Sequence, residues 1–248
     1  MITLKSPSEL ARMREAGRIV AVVLALLQEK IAPGVTTREL NDLAEATILK
    51  HGAVPSFKGY RGYPAALCVS INEELVHGIP GPREIHEGDL VSLDVGTIYK
   101  GFQGDAAVTV AVGEVPAAAC RLLEVTSGAL EAGISQCLAG NHLGDVSAAI
   151  QNYTETRGFS VVREYTGHGI GRKMHEDPQI PNFGEPGNGG LLRPGMTFAL
   201  EPMVSMGTWR TRVLDDGWTV VTLDGQLSAH FEHTIAVTDG QPEILTRL

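Results

Sequence analysis

Apolar residues recur at helical spacing in two stretches near the N-terminus. The first follows residues 6–9, where a serine cap, a proline and a glutamate three residues after the cap form a typical helix start. This pattern predicts a helix that runs to about Ile31 and stops at the Pro-Gly pair that follows. The second stretch starts at residues 36–39 and ends at Gly52, so it predicts a second, shorter helix.

The same plan returns 106 residues later. Residues 116–138 predict a long helix and residues 145–157 a second one, and each ends near a glycine that matches a glycine of the first half. The strands repeat too, because residues 88–94 and residues 195–201 each carry a glycine, then an apolar run, then a carboxylate. Single matches could arise by chance, but several at a nearly constant offset favour two related halves.

Each half therefore predicts two helices followed by strands with short links. Helices and strands segregated in this way are typical of an α+β fold, in which helices cover one face of a largely antiparallel sheet. No linker rich in proline or serine separates the halves. We therefore predict a single domain over residues 1–248, built from pseudo-symmetric halves of about residues 1–113 and 114–248.

Charge and cysteine content narrow the class of protein. Lys plus Arg number 20 against 29 Asp plus Glu, and the net charge of -9 argues against nucleic acid as the main partner. The three cysteines, without a C-x-x-C pair, disfavour a disulfide framework and a structural zinc site, and fit a reducing cytoplasm. The longest apolar run, residues 19–27, falls far short of the roughly 20 residues of a membrane helix. We expect it in a core helix, with no membrane anchor and no signal peptide.

Two aspartates lie on neighbouring predicted strands. Asp94 lies in residues 90–99 and Asp105 in residues 102–112. A tight turn centred on residues 99–100 would place the two side chains directly opposite each other, with Cβ atoms roughly 4.5–5.5 Å apart. Two carboxylates so close repel each other, and a shared divalent cation with oxygen ligands would compensate. Both aspartates could instead face solvent, or the strands could pair in another register.

Two glutamates and a histidine also contrast with their surroundings. Glu201 and Glu232 each interrupt an apolar, strand-like run, where an isolated buried carboxylate is costly. His168 lies in the sequence Gly-His-Gly-Ile-Gly, and glycines allow another group to approach closely. Taken alone, each glutamate could be a structural carboxylate with hydrogen-bond partners, and the histidine could simply lie in a turn. Together, four acids and one imidazole could hold two divalent ions that activate water and polarise a carbonyl.

Two further histidines are candidates for contact with a substrate. His77 and His175 lie in short segments of mixed polarity, and an imidazole can orient an amide or stabilise an oxyanion. The remaining histidines are assigned to surface or loop positions by default: His51, His86, His142, His230 and His233.

The five candidate ligands occur in short segments whose order and spacing are specific. Successive ligands are 11, 63, 33 and 31 residues apart. Their segments read LDVG, GDA, GHGIG, EPM and FEHT, at residues 93–96, 104–106, 167–171, 201–203 and 231–234. In order and spacing they resemble the ligand motifs of type I methionine aminopeptidases in the short bacterial form, and the resemblance covers nearly the whole chain.

The resemblance implies the pseudo-two-fold "pita-bread" fold, a curved antiparallel sheet with helices on its outer face. It also implies two divalent metal ions per chain, such as cobalt, manganese or iron. Asp94 would bind one metal alone, whereas Asp105 and Glu232 would bridge both. His168 and Glu201 would hold the other metal.

The resemblance further implies roles in catalysis. A hydroxide that bridges the metals would attack the scissile carbonyl, and Glu201 would shuttle the proton to the leaving amine. His175 would hydrogen-bond the carbonyl and its developing oxyanion, and His77 would position the substrate.

A pocket for the methionine side chain is implied as well, and aromatic and sulfur-containing groups suit its flexible thioether. The residues implied for it are Tyr60, Tyr63, Cys68, Trp218 and, as a further candidate, Phe183. Met174 stands where the family commonly has an aromatic residue.

The implied activity is hydrolytic removal of the N-terminal methionine from nascent chains whose second residue is small. The expected partners are those N-termini, which the enzyme would bind near the ribosome. The enzyme is expected to be a cytoplasmic monomer that binds neither nucleic acid nor membrane. Two alternatives remain open. An X-Pro-directed peptidase of the same fold would usually carry an additional N-terminal domain, for which this chain has no room. A non-catalytic binding protein of this fold would lack metal ligands, whereas all five are present here.

Overall fold

The computed structural model of the protein describes residues 2–248. Its helices are α1 (Pro7–Lys30), α2 (Thr37–Lys50), α3 (Ala117–Ser135) and α4 (Leu143–Glu155), with a short 3₁₀ helix at Tyr60–Gly62. The strands that precede α3 are β1 (Val54–Pro55), β2 (Leu67–Ile71), β3 (Glu74–Val76), β4 (Leu90–Tyr99) and β5 (Phe102–Ala111). Those that follow α4 are β6 (Ser160–Val161), β7 (Thr166–Gly169), β8 (Glu176–Pro181), β9 (Thr197–Leu200), β10 (Met203–Ser205), β11 (Thr211–Val213), β12 (Val220–Thr222), β13 (Ser228–His230), β14 (His233–Ala236) and β15 (Glu243–Ile244).

Local side-chain contacts start the first two helices where the sequence predicts. Ser6 Oγ accepts the Glu9 backbone N–H at 3.4 Å, and the Glu9 carboxylate accepts the Ser6 backbone N–H at 3.0 Å. Thr36 and Glu39 form the same reciprocal pair at the start of α2. Both helix starts are therefore determined by residues within one turn.

The boundaries of the last two helices differ from the prediction by one to three residues. α4 begins at Leu143, because the Asp145 carboxylate lies within the first turn and accepts the backbone N–H of His142 at 2.6 Å. α3 ends at Ser135, because the next two residues form a tighter turn with hydrogen bonds to carbonyls three residues back.

Matching features recur in the two halves at the predicted offset. An isolated bridge joins Thr36 to Glu84 in the first half, and another joins His142 to Leu191 in the second. The glycines that the repeat pairs all have φ between 71° and 96°, which favours glycine. These pairs are Gly34 with Gly140, Gly52 with Gly158, and Gly88 with Gly195. The shared features support two related halves, and their division near residue 113 stays a prediction.

Every pairing between the described strands is antiparallel. β4 has β5 on one edge and both β1 and β2 on the other. A five-stranded sheet has the order β15-β14-β9-β7-β8, and two three-stranded sheets have the orders β13-β10-β6 and β11-β12-β3. Because the helices pack against these sheets, the predicted α+β class is confirmed.

Separate hydrophobic cores lie between the helices and the sheets of each half. In the first core, alternate residues of β4, among them Leu93, pack with residues of α1 and α2. In the second, Phe198 and Leu200 of β9 pack with residues of α3 and α4. Neighbouring side chains on a strand point to opposite faces. Asp94, next to Leu93, is therefore directed away from the first core. Glu201, which directly follows β9, is directed away from the second core.

The predicted register of the hairpin formed by β4 and β5 is wrong by two residues. Its turn consists of Lys100 and Gly101, one residue later than predicted, with φ of 46° and 79°. Positive φ at both positions matches the strand twist of a two-residue hairpin. Asp94 consequently faces Ala107 and not Asp105. Because the shift is an even number of residues, the two aspartates still share a face, as diagonal neighbours.

Strand β5 also joins the two halves of the chain. Ala107 exchanges two backbone hydrogen bonds with Glu232, at 2.9 and 3.3 Å. The Thr234 hydroxyl accepts the backbone N–H of Asp105 and donates to its carbonyl. Asp94, Asp105 and Glu232 are therefore brought together on three adjacent chain segments.

Candidate active site

A cavity of about 290 Å³ is lined by residues of both halves. All five candidate metal ligands lie in its wall: Asp94, Asp105, His168, Glu201 and Glu232. The predicted substrate-contacting residues line it as well: Tyr60, Tyr63, Cys68, His77, His175 and Trp218. The fold therefore places every predicted site residue except Phe183 around one space.

The candidate ligands form a tight cluster. Ligand atoms of Asp105, His168 and Glu232 all lie within 4.8 Å of one another. Glu201 Oε1 is 3.5 Å from His168 Nε2. The register of β9 with β14, continued by one pair, places Glu201 directly opposite Glu232. Carboxylates so placed repel each other, as the two aspartates of the first half do.

Three buried carboxylate oxygens of this cluster lack a hydrogen-bond partner within the described chain: Asp94 Oδ1, Asp105 Oδ1 and Glu232 Oε1. Buried polar atoms are nearly always paired with protein, water or an ion. Hard divalent cations prefer oxygen ligands, and imidazole nitrogen suits several of them. A set of four carboxylates and one imidazole therefore fits divalent metal ions.

The backbone around His168 determines which ring nitrogen is available to a metal. Nδ1 donates to the Gly169 carbonyl at 2.9 Å, so Nε2 keeps its lone pair. Burial lowers the pKa of His168 to about 4, which keeps the ring neutral at pH 7. A Cβ at Gly167 or Gly169 would lie 2.6 or 2.2 Å from a carbonyl oxygen of a neighbouring strand. The flanking glycines therefore allow the close strand packing that surrounds this histidine.

Burial raises the pKa of all four acids in the cluster. Desolvation raises the pKa of Asp94 to about 7. It also holds the pKa values of Asp105, Glu201 and Glu232 well above their usual range, and repulsion from neighbouring carboxylates adds to the effect. Imidazoles respond in the opposite direction, since burial lowers the pKa of His77 to about 4. Without a cation the cluster therefore retains protons, which a bound cation would displace.

Metal removal is expected to make the free energy of unfolding decrease as the pH rises above about 6.5. Below that pH, two effects oppose each other as the pH rises. The carboxyls with raised pKa make the free energy of unfolding decrease, and the imidazoles with lowered pKa make it increase. Above it, the imidazoles are neutral in both the folded and the unfolded chain. The carboxyls still protonated in the folded chain alone then lose their protons, which destabilises the fold.

Melting temperatures in EDTA and in Mn²⁺ across neutral to mildly alkaline pH measure this effect. With Mn²⁺ bound, the carboxylates are already ionised, so the decrease is expected to disappear. Parallel curves with and without the metal would contradict the assignment of a buried carboxylate cluster.

His77 adopts a backbone conformation that residues with side chains rarely take, with φ of 62°. Its ring packs edge-on against Trp218 and Tyr165, with centroids 6.3 and 6.0 Å away. Strained backbone of this kind concentrates at functional sites. Here it accompanies an imidazole that lines the cavity beside an aromatic wall.

His175 lies near the open side of the cavity. Its Nδ1 is 2.8 Å from the Tyr60 hydroxyl, and the two rings stack with centroids 5.5 Å apart. Its ring centroid is 4.2 Å from that of His168. Partial burial, with the nearby charge of Arg61, lowers the pKa of His175. A neutral imidazole is therefore held next to the ligand cluster while remaining accessible to a substrate.

An apolar wall adjoins the two histidines. The Tyr63 hydroxyl donates to the Gly78 carbonyl at 2.9 Å, and its ring meets Trp218 edge-on at 5.1 Å. Burial raises the pKa of Cys68 well above its usual value, so its side chain is a neutral thiol. Because these groups are buried or packed against each other, the wall is closely packed and apolar.

Comparison with known proteins identifies the family of the chain. The sequence pattern of metallopeptidase family M24 matches residues 11–239. The chain belongs to metallopeptidase family M24. As an M24 metallopeptidase it uses divalent metal, in agreement with the ligand cluster.

The M24 chain is similar to proteins of two specificities. It is 53% identical over 246 residues to a methionine aminopeptidase from Clostridium perfringens, with 99% of each chain covered. The crystal structure of a methionine aminopeptidase from Thermotoga maritima superposes with a TM-score of 0.99 at 51% identity, over all of both chains. An Xaa-Pro dipeptidase from Bacillus anthracis gives 0.81 at 26% identity, over 99% of this chain and 62% of that one. The predicted resemblance and the pita-bread fold are confirmed.

Further residues of this M24 site had no predicted role. Phe57, Arg61, Tyr165 and Met174 also line the cavity. No periodic pattern marks the loop that carries the first two, although Met174 directly precedes His175. The further candidate Phe183 lies outside the cavity, where it packs against the second core beneath the Arg163 guanidinium, 5.2 Å from its ring.

The default assignment of His230 and His233 to the surface or to loops is wrong. His230 ends β13 and is 2% exposed, and His233 begins β14 with Nδ1 2.9 Å from the Thr246 hydroxyl. The sequence does indicate that His230 lies near the site, because it precedes the candidate ligand Glu232 by two residues. Side chains two residues apart on extended chain share a face.

Proposed function

We propose that the protein is an aminopeptidase that hydrolyses the peptide bond after an N-terminal methionine. The observation that carries the proposal is one cavity that joins five candidate metal ligands to a wall of aromatic and sulfur-containing side chains. A flexible thioether packs favourably against such groups. The high identity to the relative from Clostridium perfringens, a methionine aminopeptidase, supports the same specificity here.

Two divalent ions per chain are proposed, such as cobalt, manganese or iron. Asp94 would hold one of them, His168 and Glu201 would hold the other, and Asp105 and Glu232 would serve both. Support comes from the ligand atoms that cluster within 4.8 Å and from the unpaired carboxylate oxygens. Four carboxylates carry four negative charges, which two divalent ions balance. Carboxylate-rich sites accept several metals, so availability decides among them.

Several polar residues of the cavity then have roles in hydrolysis. A divalent ion bound here polarises a carbonyl and lowers the pKa of water. Glu201, whose carboxylate faces the cavity, accepts a proton from water and returns it to the leaving amine. When the Tyr60 hydroxyl donates to Nδ1 of His175, Nε2 carries the proton and can donate to the scissile carbonyl. His77, whose ring packs edge-on against Trp218, positions the substrate.

The methionine side chain is proposed to lie against this apolar wall. Tyr60, Tyr63, Cys68 and Trp218 provide its lining, and Met174 adds a second sulfur. The limited volume of about 290 Å³ supports a requirement for a small second residue. Longer peptides would leave through the open side, near His175.

The proposed substrates are the N-termini of nascent chains near the ribosome, processed by a monomer in the cytoplasm. Three free cysteines support a reducing compartment: Cys68, Cys120 and Cys137. The net charge of -9 supports the absence of direct nucleic-acid binding. Within residues 2–248, no helix combines the length and apolarity needed to cross a membrane.

Release of methionine from Met-Ala-Ser by the metal-stripped protein tests the proposed function. We expect no release without metal and restored release when Co²⁺, Mn²⁺ or Fe²⁺ is added back. An Ala-Pro peptide, assayed in parallel, should remain intact. Cleavage of Ala-Pro alone would favour an X-Pro peptidase, and a protein inert with every metal would favour a non-catalytic binding protein.

Replacing His175 with alanine is expected to lower kcat by about 10²–10³, the effect of a lost oxyanion donor. Metal content should not change, because no metal is assigned to this side chain. His86→Ala, at an exposed loop position, is the matched control and should retain full activity. Steady-state kinetics with Met-Ala-Ser, together with metal analysis, measure both properties. Unchanged kcat in His175→Ala would contradict the proposed role.

A further inference from the structure

His230 is a buried histidine in the wall of the site. Its side chain is 2% exposed, and neither ring nitrogen has a hydrogen-bond partner among residues 2–248. An imidazole always carries at least one N–H, and a buried donor left unpaired is unfavourable. A nearby acceptor is therefore needed in the working protein.

Two carboxylates lie close enough to accept a hydrogen bond from this N–H after a small movement. Nε2 of His230 is 3.9 Å from Oε2 of Glu232 and 4.0 Å from Oε2 of Glu201. N–H···O hydrogen bonds span about 2.7–3.2 Å, so a carboxylate movement of about 1 Å closes either one. No other polar group of the described chain is paired with this ring.

The backbone holds His230 in place. Its N–H donates to Thr109 Oγ1 and its carbonyl accepts from the same hydroxyl, both at 2.8 Å. Strand pairing places it opposite Met203, which lies two residues after Glu201. The imidazole is therefore anchored, and the longer glutamate side chains are the parts that can adjust.

We infer that His230 is a positioning residue for the metal ligands Glu201 and Glu232, an inference that rests on the proposed function. Its Nε2–H donates to the Oε2 atoms of the two glutamates and leaves their other oxygens to face the cation. Outer hydrogen bonds of this kind fix the direction of a ligand and strengthen metal binding. His230 thereby sets the affinity of the site without binding the metal.

Two substitutions separate this role from its alternatives. His230→Gln keeps an N–H donor at nearly the same reach, whereas His230→Leu keeps the bulk and removes the donor. The metal-stripped proteins are titrated with Co²⁺ by calorimetry, and the visible absorption of the bound Co²⁺ is recorded. We expect His230→Leu to bind Co²⁺ about 10–100-fold more weakly, with an altered spectrum, and His230→Gln to restore both properties.

Each other result overturns the inference. Unchanged Co²⁺ affinity in His230→Leu would mean that the ring only fills space, and a loss as large in His230→Gln would mean that the ring binds the metal itself. Should His230→Leu fail to fold, judged by circular dichroism, His230→Met replaces it as the variant without a donor.

His86→Leu is the control at an exposed position. If the wild type and this control fail to bind Co²⁺, the proposed function is wrong. If both bind Co²⁺, any difference in the His230 variants reports on the role of His230 and not on the proposed function.

Discussion

An Asp105→Ala variant is expected to lose turnover by at least about 10³-fold. Asp105 lies at the centre of the cluster, with ligand atoms of His168 and Glu232 within 4.8 Å. Its loss removes an oxygen ligand proposed to serve both metals, and metal ions contribute several kcal/mol of transition-state stabilisation, about 10³-fold or more in rate. Affinity for at least one metal should fall by more than the 10–100-fold typical of a lost outer hydrogen bond.

The fold of this variant should remain intact for a specific reason. Thr234 holds Asp105 through its backbone N–H and carbonyl, so the substitution leaves both hydrogen bonds in place. It also removes one of several carboxyl groups that burial and mutual repulsion destabilise. In EDTA, the melting temperature of Asp105→Ala should therefore equal or exceed that of the wild type.

Calorimetric metal titration, methionine release and thermal melting in EDTA together check this expectation. Asp215→Ala, at an exposed loop position, is the matched control and should behave as the wild type. Full activity in Asp105→Ala would contradict the two-metal assignment. A much lower melting temperature in EDTA would instead show that Asp105 has a structural role.

Features fixed by neighbouring residues could be predicted from the sequence. The caps at Ser6 and Thr36 depend on contacts within one turn, and both lie at the predicted residues. The four acids of the cluster could be singled out because carboxylates inside apolar strands contradict the rule that buried charges are paired. The spacing of the segments then pointed to one family, which the match over residues 11–239 confirms.

Features that depend on long-range packing could not be predicted in the same way. A two-residue shift of the hairpin leaves the alternation of apolar and polar residues unchanged, so periodicity cannot choose between registers. The glycine at position 101 favoured the observed turn, because a two-residue hairpin needs positive φ. Phe57 and Arg61 reach the cavity from a loop and a short 3₁₀ helix, where no repeat pattern exists.

Replacing Glu201 with glutamine is expected to lower kcat by about 10²–10⁴ at saturating metal, the usual contribution of a positioned acid–base group. Glutamine keeps the size of the side chain and one oxygen for a metal, but its amide cannot accept a proton at neutral pH. Glu201 Oε1 is 3.5 Å from His168 Nε2, so the carboxylate lies among the candidate ligands and also faces the cavity. KM for Met-Ala-Ser should change far less than kcat, since the proposed methionine pocket is intact.

A metal ligand and a proton carrier respond differently when metal is added in excess. If Glu201 were a ligand only, saturating metal would restore the activity of Glu201→Gln. If it also carries the proton, kcat stays low at full metal occupancy, because the glutamine amide cannot accept that proton. Single-turnover methionine release, measured across a range of Co²⁺ concentrations, separates these cases. Glu124→Gln, on an exposed face of α3, makes the same chemical change outside the site and should leave kcat unchanged. Recovery of wild-type kcat in Glu201→Gln would therefore assign proton transfer to another residue of the cavity.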